Sequence, residues 1–456
     1  NNNNNNNNDH NNNNILPDVT AAIGNTPLVD LSRIARHYGI LEEENDGKIL
    51  GKLEYLNPGG SKKDRIAVSI LEEARKDGSL LPGQTVVELT SGNTGTGLAI
   101  ACSVMGHPFV AVMSRGNSRE RFRMMEALGA TVVLVDTIGG TGDAPGDAPG
   151  GDETMGGGVS GADLDRVETR ARELASSLGA FRVDQFVREA NRTAHFEGTG
   201  PELWADSGGC VTDFCDFVGT GGSLGGIAGF LKEASGGRVR CYAVEPSGAP
   251  VLRREREQQR QQQRQQQRRQ NDTTHMDDDE SEDGKDNDDW VIGSGHHRIQ
   301  GGGYMKSRNE LPLIAPMGTD PGTTTKHSGN DDDDNDDDNS PNHNPLDRHG
   351  FDHKNELIDG YLTVSDEDAI RAARDLAKHE GIFAGYSAGA NFVAAVEILR
   401  SRARARRRKN NDETQEQEHQ TQEPRRKPPG EQRKPDVVAI LLCDSGLKYM
   451  STDLWE

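Results

Sequence analysis

The chain has few cysteines and no long apolar run, and each absence argues against a class of protein. It contains five cysteines in 456 residues, and no two of them form a Cys-x-x-Cys pair. This pattern predicts no structural disulfide and an intracellular, reducing compartment. No apolar run reaches the roughly 18 residues that a bilayer-spanning helix requires, so no membrane span is predicted. The sequence does not begin with Met, so a targeting peptide cannot be read from it, and the choice between cytoplasmic and mitochondrial stays open.

Hydrophobic residues are also scarce, at 32% of the chain, and five tracts contain almost none of them. The first tract is nearly all Asn, the second is Gly-rich, and the others are dominated by charged residues, Gln or Pro. Segments of this composition cannot bury enough apolar surface to offset the entropy of ordering, so all five are predicted to be disordered. They are residues 1–14, 139–161, 253–289, 317–355 and 400–436.

The net charge of −22 comes largely from two of these tracts. Residues 277–289 and 331–338 hold nine and seven acidic residues against a single lysine. Such runs are typical of solvated loops, so the charge does not indicate an acidic surface for a partner. The basic stretch of residues 400–409 is interpreted as a solvated helix end, and no nucleic-acid partner is predicted.

The rest of the chain alternates between strand and helix patterns. Six runs are rich in β-branched residues and almost continuously apolar, as strands buried on both faces are. Amphipathic helices separate them. Repeated strand–helix units predict an α/β fold with mainly parallel, twisted sheets flanked by helices. The predicted strands are residues 85–89, 108–113, 131–136, 213–218, 239–245 and 437–443, and the predicted helices are residues 66–74, 119–128, 162–178, 224–233 and 366–379.

The most informative motif places a lysine pair before an Asp-Arg dipeptide. It reads Asn-Pro-Gly-Gly-Ser-Lys-Lys-Asp-Arg over residues 57–65. Three small-residue turns lie downstream, each after a predicted strand and before a predicted helix: residues 90–95, 219–223 and 385–389. A reactive amine, an anion-binding turn, a phosphate cradle and a neutral polar partner are the parts needed to hold pyridoxal 5′-phosphate.

The turn of residues 219–223 is predicted to be the phosphate cradle. Backbone N–H groups at a helix start attract phosphate, and glycines let the backbone approach it closely. The hydroxyls of Thr220 and Ser223 would add hydrogen-bond donors to the backbone N–H groups of Gly219, Gly221 and Gly222. A Walker A motif would need Lys after the last glycine, and the spacing also differs from the Gly-x-Gly-x-x-Gly dinucleotide pattern.

Together and in this order, the motifs resemble the cysteine synthase (O-acetylserine sulfhydrylase) and cystathionine β-synthase family of fold type II pyridoxal-phosphate enzymes. The family pattern Asn-Pro-x-x-Ser-x-Lys-Asp-Arg implies that Lys63, rather than Lys62, carries the cofactor and acts as acid and base. The resemblance implies that Asn93 bonds the cofactor 3′-oxygen and that Ser387 meets the pyridine nitrogen. It also implies a set of residues that bind the substrate α-carboxylate: Thr90, Ser91, Gly92, Thr94 and Gln185.

The resemblance further implies a tryptophan synthase β-like fold with two domains, the cofactor in the cleft between them, and a homodimer. The small domain would span residues 50–180 and carry Lys63 and the Gly-rich insertion. The large domain would combine residues 15–49 with 181–456 and carry the phosphate cradle and Ser387.

The reaction implied is β-replacement, which forms L-cysteine from O-acetyl-L-serine and sulfide through an α-aminoacrylate. Where the family often reads Met-Ser-x-Glu-Arg, residues 113–121 read Met-Ser-Arg-Gly-Asn-Ser-Arg-Glu-Arg, which leaves the preference for acetylserine open. A cystathionine β-synthase-like enzyme, a serine/threonine dehydratase and an inactive homologue that serves as an interaction protein stay as alternatives.

No metal site is predicted. His195 occurs in an Asn-x-x-x-His pattern on a predicted helix, with no second ligand at the spacing that a zinc site uses. It is therefore interpreted as a structural histidine.

Overall fold

The computed structural model describes residues 15–40, 47–136, 161–272, 311–314, 357–419 and 434–456. In this part of the chain, strands form a six-stranded and a four-stranded sheet. The strands are β1 (Leu28–Asp30), β2 (Lys48–Lys52), β3 (Val86–Leu89), β4 (Phe109–Ser114), β5 (Thr131–Val135), β6 (Phe181–Arg182), β7 (Asp213–Phe217), β8 (Arg240–Pro246), β9 (Gly360–Val364) and β10 (Val437–Leu441).

Helices follow most of the strands and cover the sheets. The first of them are α1 (Ser32–His37), α2 (Lys63–Lys76), α3 (Asn93–Met105), α4 (Arg119–Ala127), α5 (Gly161–Leu178) and α6 (Glu189–Ala194). The later ones are α7 (Gly200–Asp206), α8 (Gly222–Ser235), α9 (Val251–Asp272), α10 (Asp366–Glu380) and α11 (Tyr386–His419).

The ends of α10 show how local sequence sets a helix boundary. The Ser365 hydroxyl accepts a hydrogen bond from the Asp368 N–H at 3.1 Å, and acidic residues fill the first turn. Lys378 and His379 lie in the last turn, and Gly381 ends the helix in the left-handed region at φ +69°. These are the residues that the helix dipole and the free backbone groups at each end favour.

The large sheet has the order β1-β2-β10-β7-β8-β9, and only its β1–β2 pair is antiparallel. β10 and β7 lie at its centre and are buried along their whole length. The small sheet has the order β5-β4-β3-β6 and is parallel throughout. The predicted α/β architecture with mainly parallel sheets is therefore confirmed, and continuous apolar runs mark the central strands as expected.

The six predicted strands and five predicted helices are present with ends displaced by a few residues. Strands β1, β2, β6 and β9 were not predicted. β2 carries lysines at both ends, and its buried Lys52 is paired with Glu202 at 3.0 Å and with Asp206 at 2.9 Å. Because those partners come from α7, nothing within the strand reveals that its charges can be buried.

β2 and β6 also correct the predicted domain boundaries. β2 pairs within the large sheet although the small domain was predicted to start at residue 50, and β6 pairs within the small sheet although it was predicted to end at residue 180. Pairing with strands distant in sequence decides to which sheet an edge segment belongs, and composition does not report it.

The prediction of disorder is wrong for parts of two tracts. α9 extends through residues 253–272, and α11 continues through residues 400–419. Arg, Gln, Glu and Lys are good helix formers even without a core to pack on, so a helix that begins on the domain can continue into such a tract. Residues 1–14 and 317–355, and nearly all of 139–161, lie outside the described residues.

All five cysteines are free, four of them buried and Cys210 exposed, which agrees with the prediction of no structural disulfide. Among the described residues, no helix combines the length and apolar content needed to cross a bilayer.

Candidate active site

The carboxyl ends of three neighbouring strands bring together the lysine motif, the glycine turn and the segment after β10. β2, β10 and β7 lie side by side and run parallel. Residues 57–65 follow β2, residues 219–223 follow β7, and residues 443–449 follow β10. Two backbone bonds join the first and last of these segments: the Lys62 N–H donates to the Cys443 carbonyl at 2.9 Å, and the Ser445 N–H donates to the Gly60 carbonyl at 3.0 Å. In α/β proteins this edge of a sheet is where ligands bind.

Lys63 is the first residue of α2, and its amine lies against the glycine turn. The Lys63 Nζ is 3.5 Å from the Thr220 Oγ1, although 157 residues separate them in the chain. Burial of the amine and, after it, the charge of Lys62 lower the pKa of Lys63 to about 7. An amine with this pKa is uncharged in a large fraction of molecules at neutral pH and is then nucleophilic.

Side chains are excluded from the glycine turn, which leaves its backbone open to a ligand. Gly221 lies in the left-handed region at φ +86°, and α8 begins at Gly222. A Cβ on Gly221 would lie 2.8 Å from the Ile314 Cγ2, and a Cβ on Gly222 would lie 2.0 Å from the Asn191 Oδ1. The first N–H groups of a helix have no acceptor within it and attract phosphate. The turn, with a neutral amine beside it, therefore fits the phosphate and the carbonyl carbon of pyridoxal 5′-phosphate.

Asn191 was not predicted for the site, yet it connects two of the predicted segments. Its Nδ2 donates to the Thr220 Oγ1 at 2.9 Å and to the Gln185 carbonyl at 2.7 Å. The residue is fully buried on α6. A single Asn in a short helix gives no local signal of such a role, because both of its partners come from other elements.

The predicted carboxylate turn follows β3 and opens α3. The Thr90 Oγ1 accepts hydrogen bonds from the N–H groups of Gly92 and Gly95, both at 2.9 Å, which fixes the curvature of the turn. The Thr94 hydroxyl donates to the Gln185 Oε1 at 2.7 Å. Two of the residues predicted to bind the substrate carboxylate thus meet, and the start of α3 supplies N–H groups without helical acceptors beside them.

Asn93 joins this turn to the segment that follows β10. Its Nδ2 donates to the Asp444 Oδ2 at 2.7 Å, and its Oδ1 accepts from the Lys448 Nζ at 2.8 Å. The predicted bond from Asn93 to the cofactor 3′-oxygen stays a prediction, and the second N–H of the amide could supply it. Asp444 and Lys448 were not predicted as site residues.

Arg121 supports the carboxylate turn from behind. Its guanidinium is fully buried, donates to the Ser91 carbonyl at 2.9 Å and lies 4.3 Å from the centre of the Tyr449 ring. It also hydrogen-bonds the Tyr449 hydroxyl and lies 3.6 Å from Asp444. A side chain on Gly92 would collide with it, since a Cβ there would be 2.4 Å from the Arg121 Cδ.

Ser387 is the second residue of α11 and is 7% exposed. The turn that precedes it is tied to the segment after β10, because the Gly385 N–H donates to the Asp444 carbonyl at 3.0 Å. Ser387 therefore lies at the carboxyl end of β10, close to the motif of residues 57–65. Its predicted contact with the pyridine nitrogen stays a prediction.

Arg65 holds the reactive segment in place through a buried ion network. Its Nε donates to the Glu54 Oε2 at 2.8 Å, and its Nη1 donates to the Glu202 Oε1 at 2.7 Å. Glu54 also accepts from the Thr26 hydroxyl at 2.7 Å, and the Asn57 Oδ1 accepts from the Gly24 N–H at 2.8 Å. These contacts tie Arg65 and the motif to the segment of residues 24–26 and to α7.

We expect the Arg65→Met variant to lose about 3–5 kcal/mol of unfolding free energy, because Glu54 would be left as an uncompensated buried charge. Urea unfolding of the apoprotein measures this. Arg75, on the exposed side of the same helix, provides the control, and its replacement by Met should change stability by less than about 0.5 kcal/mol. Equal urea midpoints for the two variants would contradict a structural role for the network.

Within the described residues, one group of side chains has the composition and spacing to hold a metal ion: His37, Asp375 and His379. It lies on α1 and α10, and the two imidazole rings stack with centroids 4.5 Å apart. It includes none of the predicted site residues. His195 is fully buried, and its Nδ1 lies 2.9 Å from the Thr199 Oγ1, as a structural histidine would.

Comparisons with known proteins agree with this geometry. A family model described as "Pyridoxal-phosphate dependent enzyme" matches residues 19–292. Cysteine synthase 1 of Neurospora crassa is 31% identical over 385 residues, which cover 84% of this chain and 77% of that protein. The crystal structure of O-ureido-L-serine synthase is 26% identical, with a TM-score of 0.60 over 97% of this chain and 95% of that one. That of O-acetyl serine sulfhydrylase isoform 3 from Entamoeba histolytica is 25% identical, with a TM-score of 0.60 over 97% of this chain and 92% of that one.

Proposed function

Since this chain belongs to the family of pyridoxal-phosphate dependent enzymes, we propose that it forms L-cysteine from O-acetyl-L-serine and sulfide by β-replacement. The observation that carries the proposal is the position of the Lys63 amine, 3.5 Å from the Thr220 hydroxyl of the glycine turn. The names of the similar proteins support the same class of chemistry, because they include a cysteine synthase and an O-acetyl serine sulfhydrylase.

When bound, pyridoxal 5′-phosphate supplies a carbonyl carbon to which amines attach and a ring that accepts electrons. The chain supplies the base. With a pKa of about 7, the Lys63 amine can take the α-proton of the amino-acid substrate and return it to the product. Both steps use the same nitrogen, so Lys63 is the residue on which turnover depends most.

The carboxylate turn orients the substrate for this proton transfer. The start of α3 offers N–H groups to the substrate carboxylate, and the polar side chains of Thr94 and Gln185 bond each other at this turn. Arg121 fixes the turn through the Ser91 carbonyl. Correct placement of the α-carbon above the amine is worth a large part of the rate, because misplacement by about 1 Å can cost roughly 100-fold.

Ser387 provides a neutral partner for the ring nitrogen. A hydroxyl does not hold a proton on that nitrogen as a carboxylate would, so the ring is a weaker electron acceptor. This favours loss and replacement of a good leaving group at the β-carbon. A cystathionine β-synthase-like or dehydratase reaction uses the same residues, and the identity of the nucleophile separates these activities.

The test is a comparison of substrates with the cofactor-loaded protein. O-acetyl-L-serine with sulfide, L-serine with homocysteine, and L-serine or L-threonine alone are supplied in parallel, and cysteine, cystathionine and 2-oxo acid are quantified. We expect kcat/KM for cysteine formation to exceed that of the other reactions by about 100-fold or more, which corresponds to a few kcal/mol of preferential transition-state binding.

A higher kcat/KM for cystathionine or for the 2-oxo acid would overturn the proposed reaction while leaving the cofactor assignment intact. Absence of every product, with the cofactor bound and the protein folded, would favour the inactive interaction protein. The Lys63→Ala variant, assayed beside the wild type, controls for a contaminating activity.

A further inference from the structure

A second buried amine, Lys62, occupies the same site and has no part in the proposed reaction. Its Nζ donates to both carboxylate oxygens of Asp216, at 2.9 and 2.7 Å, and to the Ser223 Oγ at 2.9 Å. Asp216 is fully buried in the middle of β7, and Lys62 is 7% exposed. The family pattern leaves position 62 unspecified, so the resemblance gave this residue no role.

Ser223 connects this ion pair to the phosphate cradle. Its hydroxyl accepts from the Lys62 ammonium and donates to the Asp216 Oδ2 at 2.5 Å. Ser223 belongs to the first turn of α8, together with the glycines that a phosphate would approach. The Ser223 hydroxyl therefore links the Lys62 ammonium to the turn where the phosphate charge would be held.

The ion pair also extends toward the other end of the cofactor site. The Asp216 Oδ1 accepts from the Asn391 Nδ2 at 3.1 Å and lies 3.7 Å from the Cys443 Sγ. Asn391 lies one helical turn after Ser387, the predicted partner of the ring nitrogen, on α11. The network of the ion pair therefore reaches the helix that carries the second predicted attachment point of the cofactor.

The charges of the site indicate that Lys62 does more than neutralise Asp216. A phosphate monoester brings about −1.5 to −2 charges into a buried site. The turn of residues 219–223 contributes only neutral groups, and Asp216 beneath it would repel the phosphate if it stood alone. Burial works against the charge of Lys62, but Asp216 outweighs it and keeps the pKa of the ammonium above its ordinary value. Lys62 is therefore a permanent cation at this position.

The same cation acts on Lys63. The charged and titratable groups that affect the Lys63 amine are Lys62 beside it, Asp216 on β7 and Cys443 after β10. After burial, Lys62 is the largest influence, and it opposes protonation of Lys63. His195, which packs nearby, has its pKa held well below its ordinary value, first by burial, and stays uncharged.

We propose that Lys62 is a positioning residue: a fixed cation, held by Asp216 and Ser223, that strengthens binding of the cofactor phosphate and keeps the neighbouring Lys63 as the free amine. The inference deepens the proposed function at the same site. It depends on cofactor binding and not on which reaction is catalysed. A binding experiment can therefore contradict it while cysteine formation is observed, and cysteine formation can fail while the role of Lys62 is supported.

The test uses the full-length apoprotein and two ligands that differ only in the phosphate, pyridoxal 5′-phosphate and pyridoxal. Lys62→Met removes the cation but leaves Asp216 uncompensated, so Lys62→Met/Asp216→Asn is made as well and leaves no unpaired buried charge. Equilibrium titration gives each Kd, and the rate of covalent attachment is followed by absorbance from about pH 6 to about pH 9, a range that spans the titration of Lys63. Thermal unfolding verifies folding, and Lys76→Met, an exposed site on α2, is the control.

We expect the double variant to bind pyridoxal 5′-phosphate about 10- to 100-fold more weakly and to bind pyridoxal within about twofold of the wild type. In Lys62→Met, loss of the cation alone lets Lys63 hold its proton to higher pH, so the midpoint of the attachment rate should rise by about half to one pH unit with either ligand. In the double variant this rise should be smaller, because the Asp216 carboxylate, which raises the pKa of Lys63, is lost as well. The control should match the wild type in both measurements.

Wild-type affinity of the double variant for the phosphate ligand, together with an unchanged pH midpoint in Lys62→Met, would overturn the proposal, because the ion pair would then merely neutralise itself. Equal weakening for both ligands would also overturn it, since that result indicates general loosening of the site.

Discussion

Replacing Lys63 with alanine is expected to lower the rate of cysteine formation by about 10³-fold or more and to abolish covalent attachment of the cofactor. The physical reason is that one nitrogen has two tasks. It is buried against the glycine turn, where burial and Lys62 keep its pKa near 7, and no other side chain on α2 replaces it there. Without it, the α-proton has no positioned acceptor.

Reduction of the loaded protein with borohydride, followed by peptide mapping, measures attachment independently of activity. The wild type should carry the cofactor mass on residue 63, and the variant should carry none. Lys76→Ala, an exposed change on the same helix, should leave both readouts unchanged. A mass adduct on Lys62 in the wild type would refute the assignment of the reactive amine, as would wild-type turnover by the Lys63 variant.

Replacing Gly222 with alanine is expected to weaken binding of pyridoxal 5′-phosphate by about 100-fold or more, the scale associated with a displacement of about 1 Å in a positioned site. The new Cβ would lie 2.0 Å from the Asn191 Oδ1, so either the turn or Asn191 must move. Asn191 also holds the Thr220 hydroxyl and the Gln185 carbonyl, and its displacement would disturb the cradle and the carboxylate turn together.

Gly229 offers the same chemical change on the same helix without the collision. A Cβ there would lie 3.4 Å from the Phe196 ring, an ordinary contact. Gly229→Ala should therefore leave cofactor affinity unchanged and should stabilise the protein by up to about 1 kcal/mol, because alanine loses less backbone entropy in a helix. Titration of each apoprotein with the cofactor and thermal unfolding test both statements. Similar affinities for the two variants would show that close approach at Gly222 is not required.

The lysine motif and the glycine turn illustrate which features of the site local sequence can predict. The strand–turn–helix context and the glycines of residues 219–223 predict a phosphate cradle, because the backbone conformation of a helix start and the absence of side chains are local properties. The choice of Lys63 within the lysine pair is what the family resemblance implies. Where each side chain ends up could not be predicted in this way. Lys62 and Lys63 are neighbours in sequence, yet one amine is an ion-paired cation and the other, with a pKa of about 7, is uncharged in a large fraction of molecules at neutral pH.

One signal in the sequence did point to the ion pair. Asp216 stands in a buried strand, between Cys215 and Phe217, and an acid in that position requires a partner. The partner is 154 residues away, which no pattern within the strand identifies. The hydrogen bond between Asn93 of the carboxylate turn and Asp444 joins residues still further apart in the chain, separated by 351 positions.

By itself, the sequence determined the alternation of strands and helices and the parallel class of the sheets, and it predicted the phosphate cradle. These follow from apolar periodicity and turn chemistry, which act over a few residues, whereas the choice of Lys63 as the reactive amine is what the family resemblance implies. Only the tertiary structure decided that β10, from the end of the chain, is inserted between β2 and β7, and that its carboxyl end therefore completes the site. Strand order and the pairing of buried charges depend on groups hundreds of residues apart, because a buried charge is stable only where folding has placed its counter-ion.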